Sequence, residues 1–180
     1  MRKVVYGVGI SLDGYIARPD GSVDFLFMPK DYSMAPFFKR CDAAVLGRKT
    51  YEAGLKMSGG KLSGYGMKCY IFSKTLDEAG HQDFAVVKEA PKPFIEALRK
   101  KKGKDIWLMG GGELTRAFLQ DDLVDELYLG VVPTLIGEGI PAFPGGFAER
   151  EFNLAENKTY SQGMIALRYE RTRRKRGTRG

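Results

Sequence analysis

Cysteine, histidine and tryptophan are nearly missing from these 180 residues, at two, one and one copies. Each shortage excludes a kind of chemistry. Neither Cys41 nor Cys69 has a second cysteine or histidine at metal-ligand spacing, so no metal is expected. Both sit beside β-like runs and read as small buried hydrophobes. A Ser-His-Asp triad would have to run through His81, and its polar surroundings, Glu78-Ala79-Gly80-His81-Gln82, read as an exposed loop. No apolar run approaches the roughly 20 residues that a bilayer span needs. Met1-Arg2-Lys3-Val4 enters a strand-like run at once, which leaves no signal peptide to expect and makes the cytoplasm the expected compartment.

An excess of one charge is present, at +7, but it is local. Arg171, Arg173, Arg174, Lys175, Arg176 and Arg179 crowd the last ten residues, leaving 23 basic against 22 acidic residues before them. A nucleic-acid partner needs a basic stripe on the folded body, and none is legible. The expected organisation is one domain over residues 1–171 and a basic, disordered tail over 172–180.

Apolar periodicity gives the elements. Lys3–Ile10 reads as a buried strand broken by Gly7 and Gly9, where something should approach the backbone closely. Ser11–Asp24 is a loop with two Asp-Gly turns, and Asp31–Cys41 is a helix in which Asp31 would cap the start. Ala43–Leu46, Lys68–Ser73, Phe84–Val87, Asp105–Met109 and Val124–Val132 are strands. Helices follow Gly47, span Pro93–Lys102, and run from the glycines at 110–112 to Leu119. A Pro/Gly-rich loop covers 133–146, and the chain ends in a hairpin, Phe152–Tyr160 with Met164–Arg171. The predicted fold is α/β, with a mostly parallel sheet, helices on both faces and an antiparallel C-terminal hairpin at one edge.

The segment Ile106-Trp107-Leu108-Met109-Gly110-Gly111-Gly112-Glu113-Leu114 carries the most chemistry. A strand, three glycines and a helix start make an anion site, because absent side chains let phosphate reach free amides at the positive end of the helix dipole. It is neither a Walker loop, lacking Gly-Lys-Ser/Thr, nor a Rossmann fingerprint, lacking the later glycine. Gly47-Arg48-Lys49-Thr50 repeats the arrangement with two cations and a hydroxyl. Ser73-Lys74-Thr75 ends a third strand. Three such sites at strand C-termini suit one elongated anionic ligand.

The ordered set Ser11-Leu12-Asp13-Gly14-Tyr15-Ile16-Ala17, Gly47-Arg48-Lys49-Thr50, Gly110-Gly111-Gly112, and Val124-Asp125-Glu126-Leu127 running to Pro133-Thr134-Leu135-Ile136-Gly137 resembles the dihydrofolate reductase-like superfamily. It is closest to the C-terminal reductase domain of bacterial riboflavin biosynthesis in a stand-alone form. The resemblance spans residues 3 to about 171 and implies an NADPH-dependent reductase. Gly111, Gly112, Glu113 and Leu114 would wrap the pyrophosphate. Gly47, Arg48 and Thr50 would hold phosphates, with Arg48 and Lys49 candidates for the 2′-phosphate. Ser73 and Lys74 would flank the adenosine. Val8, Ile16, Met109 and Gly110 would line the nicotinamide, which would explain Gly7 and Gly9. Hydride would pass to a pyrimidine or pterin-type heterocycle, foremost 5-amino-6-(5-phosphoribosylamino)uracil.

The sequence also departs from that pattern. Met34 stands where dihydrofolate reductases place their substrate-binding carboxylate, with Asp31 one turn earlier. Met109-Gly110 stands where riboflavin-pathway reductases place an acid. Asp31 and Asp13 are the candidate catalytic acids. Two alternatives stay open: dihydrofolate reduction with Asp31 as the acid, and a nucleotide-binding module without turnover. The resemblance also implies a homodimer, for which Tyr128, Leu129 and Val131 would supply an apolar edge.

Overall fold

A computed structural model describes residues 1–78 and 82–173; His81 and the tail beyond Arg173 lie outside the described residues. The strand β1 (Val4–Ile10) sends Val4, Tyr6, Val8 and Ile10 to one face and Val5, Gly7 and Gly9 to the other, the alternation of a pleated strand. After it come β2 (Tyr15–Ala17), α1 (Ala35–Arg40), β3 (Cys41–Gly47), α2 (Arg48–Met57), β4 (Lys68–Phe72) and β5 (Phe84–Val87). The chain continues through α3 (Pro91–Lys100), β6 (Asp105–Gly110), α4 (Gly112–Gln120), β7 (Glu126–Val131), β8 (Ile140–Pro141), β9 (Phe152–Thr159) and β10 (Ile165–Arg171).

Eight strands form one sheet in the order β5-β4-β3-β6-β1-β7-β10-β9. Every neighbouring pair from β5 to β7 is parallel, and β7-β10-β9 is antiparallel. Ile95 and Leu98 of α3 and Leu114, Phe118 and Leu119 of α4 pack with Val4, Tyr6, Val45 and Leu108 on one face. Phe37 of α1 and Tyr51 of α2 pack with Val5, Ala44, Leu46, Ile71 and Trp107 on the other. The expected three-layer α/β fold is present, the C-terminal hairpin at its edge. Among the described residues no helix is long and apolar enough to cross a membrane.

The structure corrects several expectations. The helix expected over 31–41 begins at Ala35, with Met34 at its cap and Pro36 in its first turn, where a missing N–H costs nothing. Asp31 therefore lies outside it and caps nothing there. The Pro/Gly-rich stretch hides β8, which pairs antiparallel with β2. Tyr128, Leu129 and Val131 form no edge, because β7 lies between β1 and β10 and Leu129 is in the core. At the start of the tail, the Thr172 amide donates to Glu151 O and Arg173 pairs with Asp125, so those two residues are anchored.

The Asp125-Glu126 pair holds the strand starts together. Glu126, fully buried, accepts two bonds from Arg40, at 2.5 and 3.1 Å, and one from Lys3 at 3.4 Å. Arg40 also reaches Asp105 at 2.7 Å, and its pKa is raised, first by the bond to Glu126. Asp125 accepts from the Val4 amide at 2.9 Å and pairs with Arg99. Both cysteines are buried, and burial pushes their thiols up, to about 12 for Cys41 and about 11 for Cys69. Neither is a thiolate at neutral pH.

Candidate active site

The chain leaves β3 for α2 on one face and moves outward to β4. It leaves β6 for α4 on the opposite face and moves the other way to β7. β3 and β6 are neighbours, so a crevice opens between their C-terminal ends. Such a switch point is where open α/β sheets bind ligands. The starts of α2 and α4 both face it.

Local geometry makes the crevice suit an anion. Gly110 and Gly111 have φ of +109° and +95°, a region that side chains rarely adopt. A Cβ on Gly111 would stand 2.9 Å from Thr50 Oγ1, and one on Gly47 would stand 3.9 Å from Leu114 Cβ. Gly47, Thr50, Gly111 and Leu114, some sixty residues apart in sequence, are thus brought into contact. Among the described residues, the amides that open α4 have no side-chain cap and no loop carbonyl takes them. Glu113 is an acid in the first turn, where the dipole stabilises it, and it is exposed.

The remaining expected cofactor residues are placed less uniformly. Arg48 is exposed and pairs with Glu52 one turn on, at 3.2 Å; Lys49 and Lys74 are also exposed. Ser73 follows β4, whose last residue Phe72 pairs with Gly47, but its Oγ accepts from the amides of Thr75 and Leu76, at 3.2 and 3.0 Å, and so shapes its own turn. Val8 and Ile16 face the α4 side, and Ile140 stands beside Gly112, 3.6 Å from where its Cβ would be. Met109 faces the α1 and α2 side, so the sheet separates it from Val8 and Ile16.

The reason expected for Gly7 and Gly9 is overturned. The protein's own side chains occupy both places. A Cβ on Gly7 would lie 2.6 Å from Phe37 Cζ and 2.9 Å from Trp107 Nε1, which donates to Gly7 O at 2.8 Å. A Cβ on Gly9 would lie 3.3 Å from Leu26. Leu26 was not legible as part of the site, because its contact is set by the path of an irregular loop.

Both candidate acids are engaged by backbone amides. Asp13 accepts from the Ser11 hydroxyl at 2.6 Å and from the amides of Ile136 and Gly137, at 3.1 and 2.8 Å. It thereby pins the 133–137 loop to the start of the sequence. Asp31 accepts from Ser161 Oγ at 2.6 Å and Ser161 N at 3.0 Å. The serine hydroxyl bond first, then the amides, hold each carboxyl below the usual carboxylate range. A lowered folded pKa means that each clamp is intact above the ordinary value, near 4, and is lost only as pH falls through the depressed one. Both clamps therefore hold throughout neutral pH.

This cleft defines a class, an α/β protein with a crevice at a switch point flanked by two helix starts. Residues 2–166 match the RibD C-terminal domain family, and the chain belongs to it. It is 34% identical over 173 residues to the uncharacterized protein YwjB of Bacillus subtilis, covering 94% of this chain and 98% of that protein. Its structure is similar to that of a putative riboflavin biosynthesis protein from Shewanella sp. PV-4, with a TM-score of 0.83 and 27% identity over 96% of this chain and all of the other. The fold is also that of a diaminohydroxyphosphoribosylaminopyrimidine deaminase/5-amino-6-(5-phosphoribosylamino)uracil reductase from Thermotoga maritima, with a TM-score of 0.73 and 11% identity. That match covers 95% of this chain and 57% of that one.

Proposed function

We propose that this chain is an NADPH-dependent oxidoreductase that reduces a pyrimidine or pterin-type heterocycle, foremost 5-amino-6-(5-phosphoribosylamino)uracil. The contact of Gly111 with Thr50 carries the reading. It joins two helix starts around a glycine cradle in which a Cβ on Gly111 would collide with Thr50 Oγ1. The cradle has the chemistry of a pyrophosphate site: free amides, two helix dipoles and nearby cations. Membership of a family whose members include riboflavin-pathway reductases supports the same reading.

In this assignment the amides of Gly111, Gly112, Glu113 and Leu114 bind the pyrophosphate, and Gly47 and Thr50 close the other wall. Arg48 and Lys49 reach the 2′-phosphate, Arg48 by exchanging its Glu52 partner, while Ser73 and Lys74 border the adenosine. Val8, Ile16 and Gly110 orient the nicotinamide, which supplies the hydride. The chain contributes orientation and exclusion of water more than proton transfer.

The test is titration of the purified protein with NADPH, followed by NADPH fluorescence and thermal melting. A hundredfold excess over Kd should stabilise the protein by about 2.7 kcal/mol. For a chain of this size that raises the melting temperature by roughly 5–10 °C. Oxidation of NADPH should then follow on adding the aminouracil substrate. No quenching and no shift would overturn the reading. The positions of Met34 and Met109 and the engaged state of Asp13 and Asp31 favour a second reading, nucleotide binding without turnover. It predicts the thermal shift with no oxidation of NADPH by any pyrimidine or pterin.

Cofactor selectivity gives a further prediction. Arg48→Ala should weaken NADPH about tenfold and NADH less than twofold, since only NADPH carries the extra phosphate for the guanidinium fork. Equal losses, measured by fluorescence titration with both cofactors, would remove Arg48 from 2′-phosphate recognition.

A further inference from the structure

The parallel strands start at the end of the sheet away from the crevice, and α1 and α3 both finish there. Four acids at that end are taken by arginines. Asp42 is held by Arg2, Asp105 by Arg40, Asp122 by Arg150 and Arg171, and Asp125 by Arg99 and Arg173. The lysines are left over. Lys39, Lys100, Lys101, Lys102 and Lys104 are exposed, and among the described residues none of them has a carboxylate partner.

The turn that carries them is fixed in shape. α3 stops at Lys100, and Lys101 already has extended angles, its amide donating to Leu98 O. The Arg2 guanidinium, itself buried, donates to Lys104 O at 2.7 Å and to Leu98 O at 3.5 Å, and Asp42 accepts from the Lys104 amide at 3.0 Å. Gly103 is packed tight: a Cβ there would lie 2.6 Å from Asp42 and 2.8 Å from Arg2. A helix dipole accounts for a cation in the last turn, as at Lys100, but not for the lysines beyond it. Lys104 reaches on to Lys39 O at 2.9 Å, which sets the turn against the end of α1. Phe38, beside Lys39, stacks on Tyr65 at 5.1 Å and 19°. Tyr65 is 52% exposed and has φ +51°, an uncommon angle for a bulky side chain.

We propose that this end of the molecule binds single-stranded nucleic acid, with phosphates on the lysine turn and a base on the Tyr65 ring. Lysines without acid partners are free to neutralise phosphates and release their counterions. An exposed aromatic ring beside a path of cations holds a single strand without reading its sequence, because every base has a π-face. A duplex keeps its bases from Tyr65. A flat anionic bilayer against this end would also meet the exposed Asp121, Glu149 and Glu151, whereas a strand can follow the cations and pass the acids by. Arg173 sits on Asp125 at this end, and Arg174, Lys175, Arg176 and Arg179 follow it in the sequence. No stripe was legible on the body because Lys39 and Lys104 are 65 residues apart. The surface is independent of the reductase reading, since the glycine cradle lies at the other end of the strands.

Fluorescence anisotropy of the full-length chain with a labelled oligodeoxythymidylate of about twelve nucleotides tests the surface. A Kd on the order of 10 μM is expected at low salt, weakening steeply as salt rises. Replacing Lys100, Lys101, Lys102 and Lys104 together with glutamine should weaken binding about tenfold or more. It should also flatten the plot of log K against log salt by about 2.8, at roughly 0.7 for each lost phosphate contact. Tyr65→Ala should weaken binding about tenfold and leave that slope unchanged, and Tyr65→Phe, which keeps the ring, should restore it. Lys92→Gln, at the start of α3 and so at the opposite end, should change nothing. The lysine variants should melt within a degree or two of wild type, since these side chains are exposed.

Undiminished affinity in the quadruple lysine variant overturns the proposal. So does complete loss on replacing Arg174, Lys175, Arg176 and Arg179 alone with glutamine, which would leave the folded surface without a part. A duplex of the same length bound as tightly as the single strand, with Tyr65→Ala unchanged, overturns the assignment to single strands. Displacement of the oligonucleotide by NADPH would put the strand in the crevice and overturn it as well. Vesicles of phosphatidylcholine with roughly 30% phosphatidylserine provide the last arm. If they take up the chain through the same lysines while the oligonucleotide does not bind, the surface is a membrane surface and the proposal fails. Each of these readouts stands whether or not the chain oxidises NADPH.

Discussion

Replacing Gly111 with alanine is expected to weaken NADPH binding about 100-fold, a loss of about 2.7 kcal/mol. Two effects combine. At φ +95° an L-residue is strained, at a cost on the order of 1–3 kcal/mol. The new methyl would also stand 2.9 Å from Thr50 Oγ1, so the walls of the cradle must part or the methyl must enter the space meant for phosphate. The strain alone should lower the melting temperature by roughly 2–12 °C. Gly112→Ala separates binding from folding. A methyl there meets Ile140 at 3.6 Å, an ordinary contact, with no positive φ to strain. It should leave the melting temperature within a degree or two and weaken NADPH far less than Gly111→Ala. Isothermal titration of both variants checks the pair. Equal affinity for wild type and Gly111→Ala would mean that the amides opening α4 do not hold the cofactor.

Glu126→Ala should be strongly destabilising, at about 3 kcal/mol. Breaking a buried ion pair usually costs 3–5 kcal/mol because the partner charge is stranded. Here the lower end applies, since Arg40 keeps Asp105 and Lys3 keeps Glu170. The melting temperature should fall by roughly 6–12 °C. The site lies at the opposite ends of the strands, so NADPH affinity measured well below the transition should not change. A fall of less than about 2 °C in a thermal melt would show that Arg40 and Lys3 are satisfied by solvent and neighbours without the buried carboxylate.

The limits of legibility are seen in particular residues. Phe84–Val87 was readable to the residue, because four apolar residues bounded by polar ones have no other use in a small α/β sheet. The glycines at 110–112 were readable as a strand-to-helix turn, because two of them need backbone angles that side chains forbid. Asp31 was misplaced, since Pro36 fixes where α1 can start and an exposed carboxylate gives no periodic signal. Gly7 and Gly9 were read correctly as points of close approach, but what approaches them depends on where Phe37, Trp107 and Leu26 arrive. Glu126 stood in the Val124-Asp125-Glu126-Leu127 motif with no role assigned; its burial follows from β7 lying between β1 and β10.

Local chemistry therefore determined most of the elements, the layer pattern and the strand–glycine–helix turn after Trp107. Backbone angles, alternation and helix caps act over a few neighbouring residues and can be read along the chain. Only the tertiary structure decided that Thr50 meets Gly111, that Leu26 lies on Gly9, and that Asp13 and Asp31 clamp loops more than 100 residues away. Those contacts come from strand order and loop path, which bring together residues that no local pattern relates.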